Sequence, residues 1–354
     1  MFLIDKLIKW ITEPLYPEKK EKTDLDSEIN WEGNGIDVGD ERWSIPTIPH
    51  NTAVHITSNR PTDFKDYIGQ GKAKNILQNY LKSVKKRSMT FPHTLISGSA
   101  GTGKTTLAKI IANKLDKNLC EVIGSDFNFD IVDFIQRDVG NGILFLDEIH
   151  SVDRNTAEKF YPIMEDFYYK GIIFDPFTLI GATTELGEII KTRKPFYDRF
   201  KIIIELEQYL EKEIKEIGKK YIERVFPEDL LENKVYMILS RNARNTPRKM
   251  IQLVEATIHY DGDYKNVLDN FNIIYKGYTH NDLKVLKYIS QNEKGVGLNG
   301  ISSYLGTSEE NFLSMLEPYL VQNNLIVRTP RGRKITSTGI KQIKYLETKI
   351  KQGG

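Results

Sequence analysis

Gly98, Gly103, Lys104 and Thr105 stand at the spacing G-x-x-x-x-G-K-[ST] within Gly98-Ser-Ala-Gly-Thr-Gly-Lys-Thr105. Residues of these types suit one chemistry. Glycines let backbone N–H groups turn inward around a phosphate, and a helix that begins there adds the positive end of its dipole. Lys104 then reaches the β- and γ-phosphates of a nucleoside triphosphate, and the Thr105 hydroxyl takes one position on Mg²⁺. Gly101, Thr102 and Thr106 complete the cradle, so ATP and Mg²⁺ are the expected cofactors.

A second chemical signal follows at Asp147-Glu148, directly after the apolar run Ile143-Leu144-Phe145-Leu146. A strand that delivers two carboxylates at its C-terminal edge places them where ligands collect in open α/β sheets. Asp147 is expected in the metal shell, and Glu148 is expected to orient and deprotonate an attacking water. The competing reading is an acidic pair that caps the next helix. Together with Lys104, the pair points to hydrolysis rather than binding alone.

The elements that must hold these groups are legible in the pattern. Thr94-Leu95-Ile96-Ser97 runs straight into the glycine loop, and Thr106-Leu107-Ala108-Lys109-Ile110-Ile111 leaves it with helical spacing. With residues 143–146 and 177–181, these apolar runs are separated by helical patterns. Strands buried on both faces and joined by helices imply a parallel sheet with right-handed crossovers. The expected class is therefore α/β, with a nucleotide-binding core over residues 59–205 and an all-helical lid over residues 206–274.

From Tyr275 onward the chain carries 12 Lys/Arg against 6 Asp/Glu, so this segment holds +6 while the rest of a chain of net charge +2 sums to −4. Three short helical patterns are followed by Leu325-Ile326-Val327, a Pro/Gly turn and Lys334-Ile335-Thr336. That order reads as a winged helix-turn-helix over residues 275–354. Arg328, Arg331, Arg333 and Lys334 sit on and beside the turn, expected outward as contacts to DNA phosphates or the minor groove. A wing that binds protein is the alternative.

Phe2, Leu3, Ile4, Leu7, Ile8, Trp10 and Ile11 have helical spacing, so residues 1–17 read as an amphipathic helix and residues 18–58 as an acidic flexible linker. So short a helix needs a surface, whether its own domain, a partner protein or a membrane surface. Composition excludes other classes. Of 354 residues, 40% are hydrophobic and 28% charged, with one cysteine, Cys120. That is a globular chain of two or three domains with no internal disulfide, expected in the cytoplasm, and no apolar run is long enough to span a membrane.

Several strings together resemble the AAA+ ATPases and, within them, the RuvB family of Holliday-junction branch-migration motors, from about residue 60 to 342. Arg60-Pro61 with Tyr67-Ile68-Gly69-Gln70 is similar to the family's adenine-contacting segment, and Asp147-Glu148-Ile149-His150 to its Walker B motif. Tyr161-Pro162 through Met164-Glu165-Asp166-Phe167 resembles the helix behind it. Leu179-Ile180-Gly181-Ala182-Thr183-Thr184 resembles the strand ending in sensor 1, which falls on Thr184; a buried hydroxyl satisfied by backbone is the competing reading. Asp198-Arg199-Phe200 resembles the arginine-finger segment, against a simple Arg199–Asp198 surface pair. Thr246-Pro247-Arg248 resembles sensor 2, with Thr as N-cap, Pro at the first helical position and Arg248 acting from the lid. Glu317-Pro318-Tyr319-Leu320 and Arg328-Thr329-Pro330-Arg331-Gly332-Arg333 resemble the family's winged-helix domain.

The resemblance implies a homo-oligomeric ring, a hexamer, that hydrolyses Mg²⁺-ATP and moves duplex or junction DNA in recombination and repair. An AAA+ loader that places a clamp or helicase on DNA is the alternative, and a non-motor DNA-binding ring a third. Two departures stand out. Only residues 168–175 occupy the place of the hairpin that docks RuvA in the family, and Tyr197 stands where an arginine often precedes the finger by two residues. RuvA docking is thus in question, and the extra N-terminal helix is a candidate for a different partner.

Overall fold

A computed structural model describes residues 59–126 and 130–353. The amphipathic helix and acidic linker expected over residues 1–58 lie outside the described residues.

The α/β part opens with α1 (Gly71–Arg87) and continues through β1 (Thr94–Ser97), α2 (Lys104–Leu115), β2 (Leu119–Ile123), α3 (Ile131–Phe134) and β3 (Ile143–Asp147). It closes with α4 (Arg154–Asp166), β4 (Tyr168–Tyr169), β5 (Ile172–Ile173), β6 (Thr178–Thr183), α5 (Leu186–Thr192), α6 (Lys194–Tyr197) and β7 (Ile202–Glu205). Five strands form one sheet in the order β2-β3-β6-β1-β7, and every pairing in it is parallel. Successive strand residues face opposite sides. Ile96, Phe145, Ile180 and Ala182 therefore pack with Leu77 of α1 and Leu107 of α2. Leu95, Leu144, Leu146 and Leu179 pack on the other face with Phe160 of α4 and Ile131. Burial on both faces is why β1, β3 and β6 read as unbroken apolar runs. Of the outer strands, β7 carries the run Ile202-Ile203-Ile204 and β2 has none. β2 is half-exposed and carries Glu121, which pairs with Lys109 at 2.8 Å.

β4 and β5 form a two-residue hairpin that turns at Lys170 and Gly171, both with positive φ (46° and 87°). Ile173 on it is 79% exposed.

The lid comprises α7 (Glu211–Val225), α8 (Asn233–Asn242), α9 (Pro247–His259) and α10 (Tyr264–Asn270), around Ile214, Ile222, Leu239, Met250 and Val254. The last part contains β8 (Ile273–Tyr275), β9 (Tyr278–Thr279), α11 (His280–Ser290), α12 (Leu298–Leu305), α13 (Glu309–Asn311), α14 (Glu317–Gln322), the wing strands β10 (Ile326–Thr329) and β11 (Gly332–Ile335), and α15 (Ser337–Gly353). Val296 and Arg333 exchange backbone hydrogen bonds, so the loop before α12 adds an edge to the wing.

One arginine joins lid to winged helix. Arg244 donates to the carbonyls of Gly277 (2.8 Å) and Met315 (3.3 Å), pairs with fully buried Asp282, and stacks 4.7 Å over the Tyr319 ring. Nearby, the Gly277 N–H donates to Asn242 Oδ1 at 3.1 Å.

Candidate active site

The glycine loop leaves β1 and enters α2 with Gly103 at the N-cap and no side-chain cap, so the first N–H groups of α2 are left for an anion. Two glycines are sterically required. At Gly101 (φ +78°) a Cβ would lie 2.8 Å from Arg248 Cβ, and at Gly103 (φ +101°) 2.6 Å from the Tyr67 hydroxyl. Lys104 is only 7% exposed, and its ammonium donates to the carbonyls of Gly98 (2.8 Å) and Ser99 (3.2 Å). Burial lowers its pKa, while Glu148 and Asp147 pull it up and Arg248 pushes it down. A largely desolvated cation at a cradle of uncapped N–H groups fits a phosphate.

Behind the loop, Tyr67 and Tyr209 both donate to the Thr102 carbonyl, at 3.3 and 2.9 Å, with their hydroxyls 3.2 Å apart. Burial pushes both phenols above their ordinary range. Gln70 makes a two-way amide pair with Glu207, its Nε2 donating to the Glu207 carbonyl (2.7 Å) and its Oε1 accepting the Glu207 N–H (3.0 Å). Tyr209 lies between β7 and α7, so the phosphate loop is fastened to the segment on which the lid turns. The sequence reading missed Tyr209; a lone tyrosine ahead of a helix carries no signal there. Ile68 is half-buried beside this group. Arg60 and Pro61 instead line a groove with Lys109 and Asn113, which are one and two turns along α2 from Thr106.

β3 brings Asp147 and Glu148 to the same sheet edge. Glu148 adopts a left-handed backbone (φ 48°), its N–H donates to Asp147 Oδ1 at 3.0 Å, and its carbonyl accepts from the Ser151 N–H (2.8 Å) and hydroxyl (2.7 Å). Glu148 therefore stands at the N-cap of the short 3-10 turn Ile149–Ser151 without capping it through its side chain, which leaves the carboxylate free of the turn. From the neighbouring strand end, exposed Thr184 donates to Glu148 Oε2 at 3.4 Å. The buried hydroxyl in this pair of threonines is Thr183, which accepts the Glu185 N–H at 2.9 Å. Among the described residues no cluster of three or more His, Cys, Asp or Glu forms a metal cage. Asp147 and Thr105 are the hard-oxygen pair suited to Mg²⁺, which shares its shell with phosphate and water.

Arg248 reaches the loop from the lid. Thr246 caps α9 by accepting the Lys249 N–H (3.4 Å), Pro247 takes the first helical position, and the Arg248 N–H approaches the Gly101 carbonyl at 3.4 Å. Arg199 is not brought to this cluster. It donates to the Tyr161 carbonyl (3.1 Å) and to Glu165 Oε2 (3.1 Å), with its guanidinium 4.6 Å over the Tyr161 ring. Its carboxylate partner is thus Glu165 of α4 and not its chain neighbour Asp198.

On the wing, the expectation that all the basic side chains point outward is corrected. Glu317 is fully buried and accepts from Arg333 Nε at 2.6 Å and Arg328 Nη2 at 2.9 Å; the Arg333 side chain is 14% exposed. A carboxylate without water needs cationic partners, and it takes the two nearest. Burial pushes Glu317 up, but the two guanidinium hydrogen bonds outweigh it and hold its pKa below the usual value. Arg331 stays exposed at the turn, Arg328 keeps an exposed side chain, and Lys334 is half-buried. Residues 307–322, the helical segment before the wing, contain Glu309, Glu310 and Glu317 and no Lys or Arg, so between residues 307 and 335 the basic side chains are those of the wing.

A family model described as "Holliday junction DNA helicase RuvB P-loop domain" matches residues 59–206, and one described as "RuvB C-terminal winged helix domain" matches residues 275–344. The chain is 34% identical over 314 residues to the Holliday junction branch migration complex subunit RuvB of Mycoplasmopsis pulmonis, with 81% of this chain and 97% of that protein covered. The subunit of that name from Enterococcus faecalis is 34% identical over 303 residues, covering 78% of this chain and 88% of its own. The solved RuvB branch migration motor of Thermotoga maritima superposes with a TM-score of 0.72 at 33% identity, over 81% of this chain and 98% of that one. With its phosphate loop, carboxylate pair and winged helix arranged as described, this chain belongs to the RuvB family of P-loop ATPases.

Proposed function

We propose that the protein is an Mg²⁺-ATP-driven motor that assembles as a homo-oligomeric ring, a hexamer, and moves duplex DNA to migrate Holliday junctions. The observation that carries this reading is the placement of Arg248 and Arg244 at the two ends of one short turn. Arg248 packs on Gly101 of the phosphate loop, and Arg244, four residues earlier, pairs with Asp282 of the winged helix. A rotation of the lid driven by the nucleotide therefore drags the wing with it.

Lys104 and the N–H groups of α2 hold the β- and γ-phosphates, and Thr105 and Asp147 would hold Mg²⁺. That ion supplies charge neutralisation on the phosphate oxygens. Glu148 accepts a proton from the lytic water, and Thr184 holds the water or the γ-phosphate. Arg248 acts in cis, while Arg199 acts on the next subunit's site after leaving Glu165. Tyr67 and Ile68 wall the base side beside the loop, and Arg60 and Pro61 do so from the groove they share with Lys109 and Asn113. Arg331, with Arg328 and Lys334, contacts DNA phosphates without reading sequence.

The names of the relatives agree with branch migration rather than with loading. The stub hairpin at Tyr168–Ile173 supports a partner contact other than RuvA docking, and the helical pattern in residues 1–17 is the candidate for recruiting that partner. Deleting residues 1–17 is expected to leave ATPase activity intact and abolish recruitment. Steady-state ATPase with and without duplex, combined with displacement of a third strand, tests the main reading. Processive displacement by the wild type and none by Glu148→Gln rings is expected; a single burst per ATP would establish a loader instead.

A further inference from the structure

His150 and Thr183 have no role in the reading above, yet His150 meets the proposed base and Thr183 meets His150. His150 Nδ1 lies 3.4 Å from Glu148 Oε2 and 3.0 Å from Thr183 Oγ1. Thr183 is fully buried at the end of β6, and its hydroxyl is pinned by the Glu185 N–H at 2.9 Å. The backbone of Glu148 is fixed independently through Asp147 and Ser151. The remaining freedom of Glu148 is in its side-chain torsions, and Thr184 donates to the same carboxylate oxygen, Oε2, at 3.4 Å.

We propose that His150, braced by Thr183, is a positioning residue that holds the Glu148 carboxylate at the angle from which it takes the proton of the lytic water. The proposal rests on Glu148 being that base. An ionised carboxylate offers no hydrogen, so both of its neighbours must donate. Thr184 donates through its hydroxyl, while His150 Nδ1 makes its shorter contact, a hydrogen bond, with Thr183 Oγ1 and turns the same nitrogen toward Glu148 Oε2. Thr183 Oγ1 accepts from the Glu185 N–H, and its position beside the same nitrogen fixes the imidazole plane. With the proton on Nδ1, that hydrogen is shared between Thr183 Oγ1 and Glu148 Oε2; a proton on Nε2 alone would set two lone pairs, on Nδ1 and Oε2, against each other. Two donors at one oxygen keep the other oxygen of Glu148 for the water. A freely rotating glutamate would spend much of its time in other rotamers, and a base displaced by about 1 Å loses on the order of a hundredfold in rate.

The test uses full-length protein with duplex DNA, reading single-turnover hydrolysis and ATP affinity separately. His150→Ala is expected to slow hydrolysis by about 10- to 100-fold with ATP affinity changed less than about twofold. His150→Asn, whose amide nitrogen falls near Nδ1, should recover most of the rate, and His150→Gln, whose nitrogen falls near Nε2, should not. Thr183→Val should give a smaller loss in the same direction. In a Glu148→Gln background, His150→Ala should cost nothing further, because there is no base left to position. Equal rates for the Asn and Gln variants, or a full additional loss in the Glu148→Gln background, would overturn the positioning role while leaving the base assignment standing. Wild-type turnover by Glu148→Gln itself would remove the base assignment and this proposal with it.

Discussion

The phosphate loop and the wing both present basic side chains on a tight glycine-containing turn, yet they treat those charges in opposite ways. At the loop, buried Lys104 has two backbone carbonyls as its hydrogen-bond partners, and the carboxylates that act on it serve other contacts. At the wing, Arg333 is committed to Glu317, a carboxylate with no exposure at all. Arg199 lies between these extremes, because its partner Glu165 is 56% exposed. The difference teaches that burial of the partner, rather than the presence of an ion pair, decides whether a cation can be handed to a ligand. An exposed pair is worth about 0–1 kcal/mol and exchanges readily for a phosphate. Breaking a buried one costs about 3–5 kcal/mol.

The largest effect should come from the releasable arginine. Arg199→Ala in assembled rings is expected to reduce ATP hydrolysis by on the order of 10³-fold or more, with ATP binding retained. Wild-type turnover would place Arg199 with the structural arginines of the wing and erase the distinction. Next, Glu317→Ala should destabilise the winged helix by about 3–5 kcal/mol in denaturant titration, because the inward Arg333 guanidinium loses its anion. Arg333→Ala should approach that loss, while Arg331→Ala should stay within about 0.5 kcal/mol. DNA binding should reverse this order. Arg331→Ala is expected to reduce the salt slope of duplex binding by about one, with Arg333→Ala in the folded state leaving it unchanged. Equal slopes for the two variants would mean that Arg333 leaves Glu317 on DNA.

The smallest effect is a difference in acid sensitivity. His93 is buried in the core, donating from one ring nitrogen to Met164 and accepting the Leu179 N–H with the other. Burial lowers its pKa from 6.5 to about 4. A depressed histidine gives stability that is full above pH 6.5 and lost as pH falls toward 4. Glu317, held below its ordinary 4.5, gives stability that is present above that pH and lost only below it. Region-resolved hydrogen exchange, corrected for intrinsic rates, should therefore see the core loosen before the wing as acid is added. Simultaneous loosening would count against separate titrating groups.

Motifs whose chemistry depends on neighbours in the chain were legible beforehand. The spacing from Gly98 to Thr105, the carboxylates after residues 143–146 and the cap Thr246-Pro247 are local arrangements, so a strand, a turn or a helix start is enough to form them. The doubly buried strands β1, β3 and β6 were legible for the same reason. The edge strand β2 was not, because its half-buried residues, with Glu121 among them, leave no unbroken apolar run.

Sequence alone determined the inventory: a glycine-rich phosphate loop with its lysine, a carboxylate pair after an apolar strand, an arginine at a helix start and a basic wing. Only the tertiary structure decided which charges remain available. It set Tyr209 against Thr102, Thr183 and His150 beside Glu148, and Glu317 beneath Arg328 and Arg333. These pairs join residues from separate elements, where desolvation rather than spacing along the chain sets the strength of each contact.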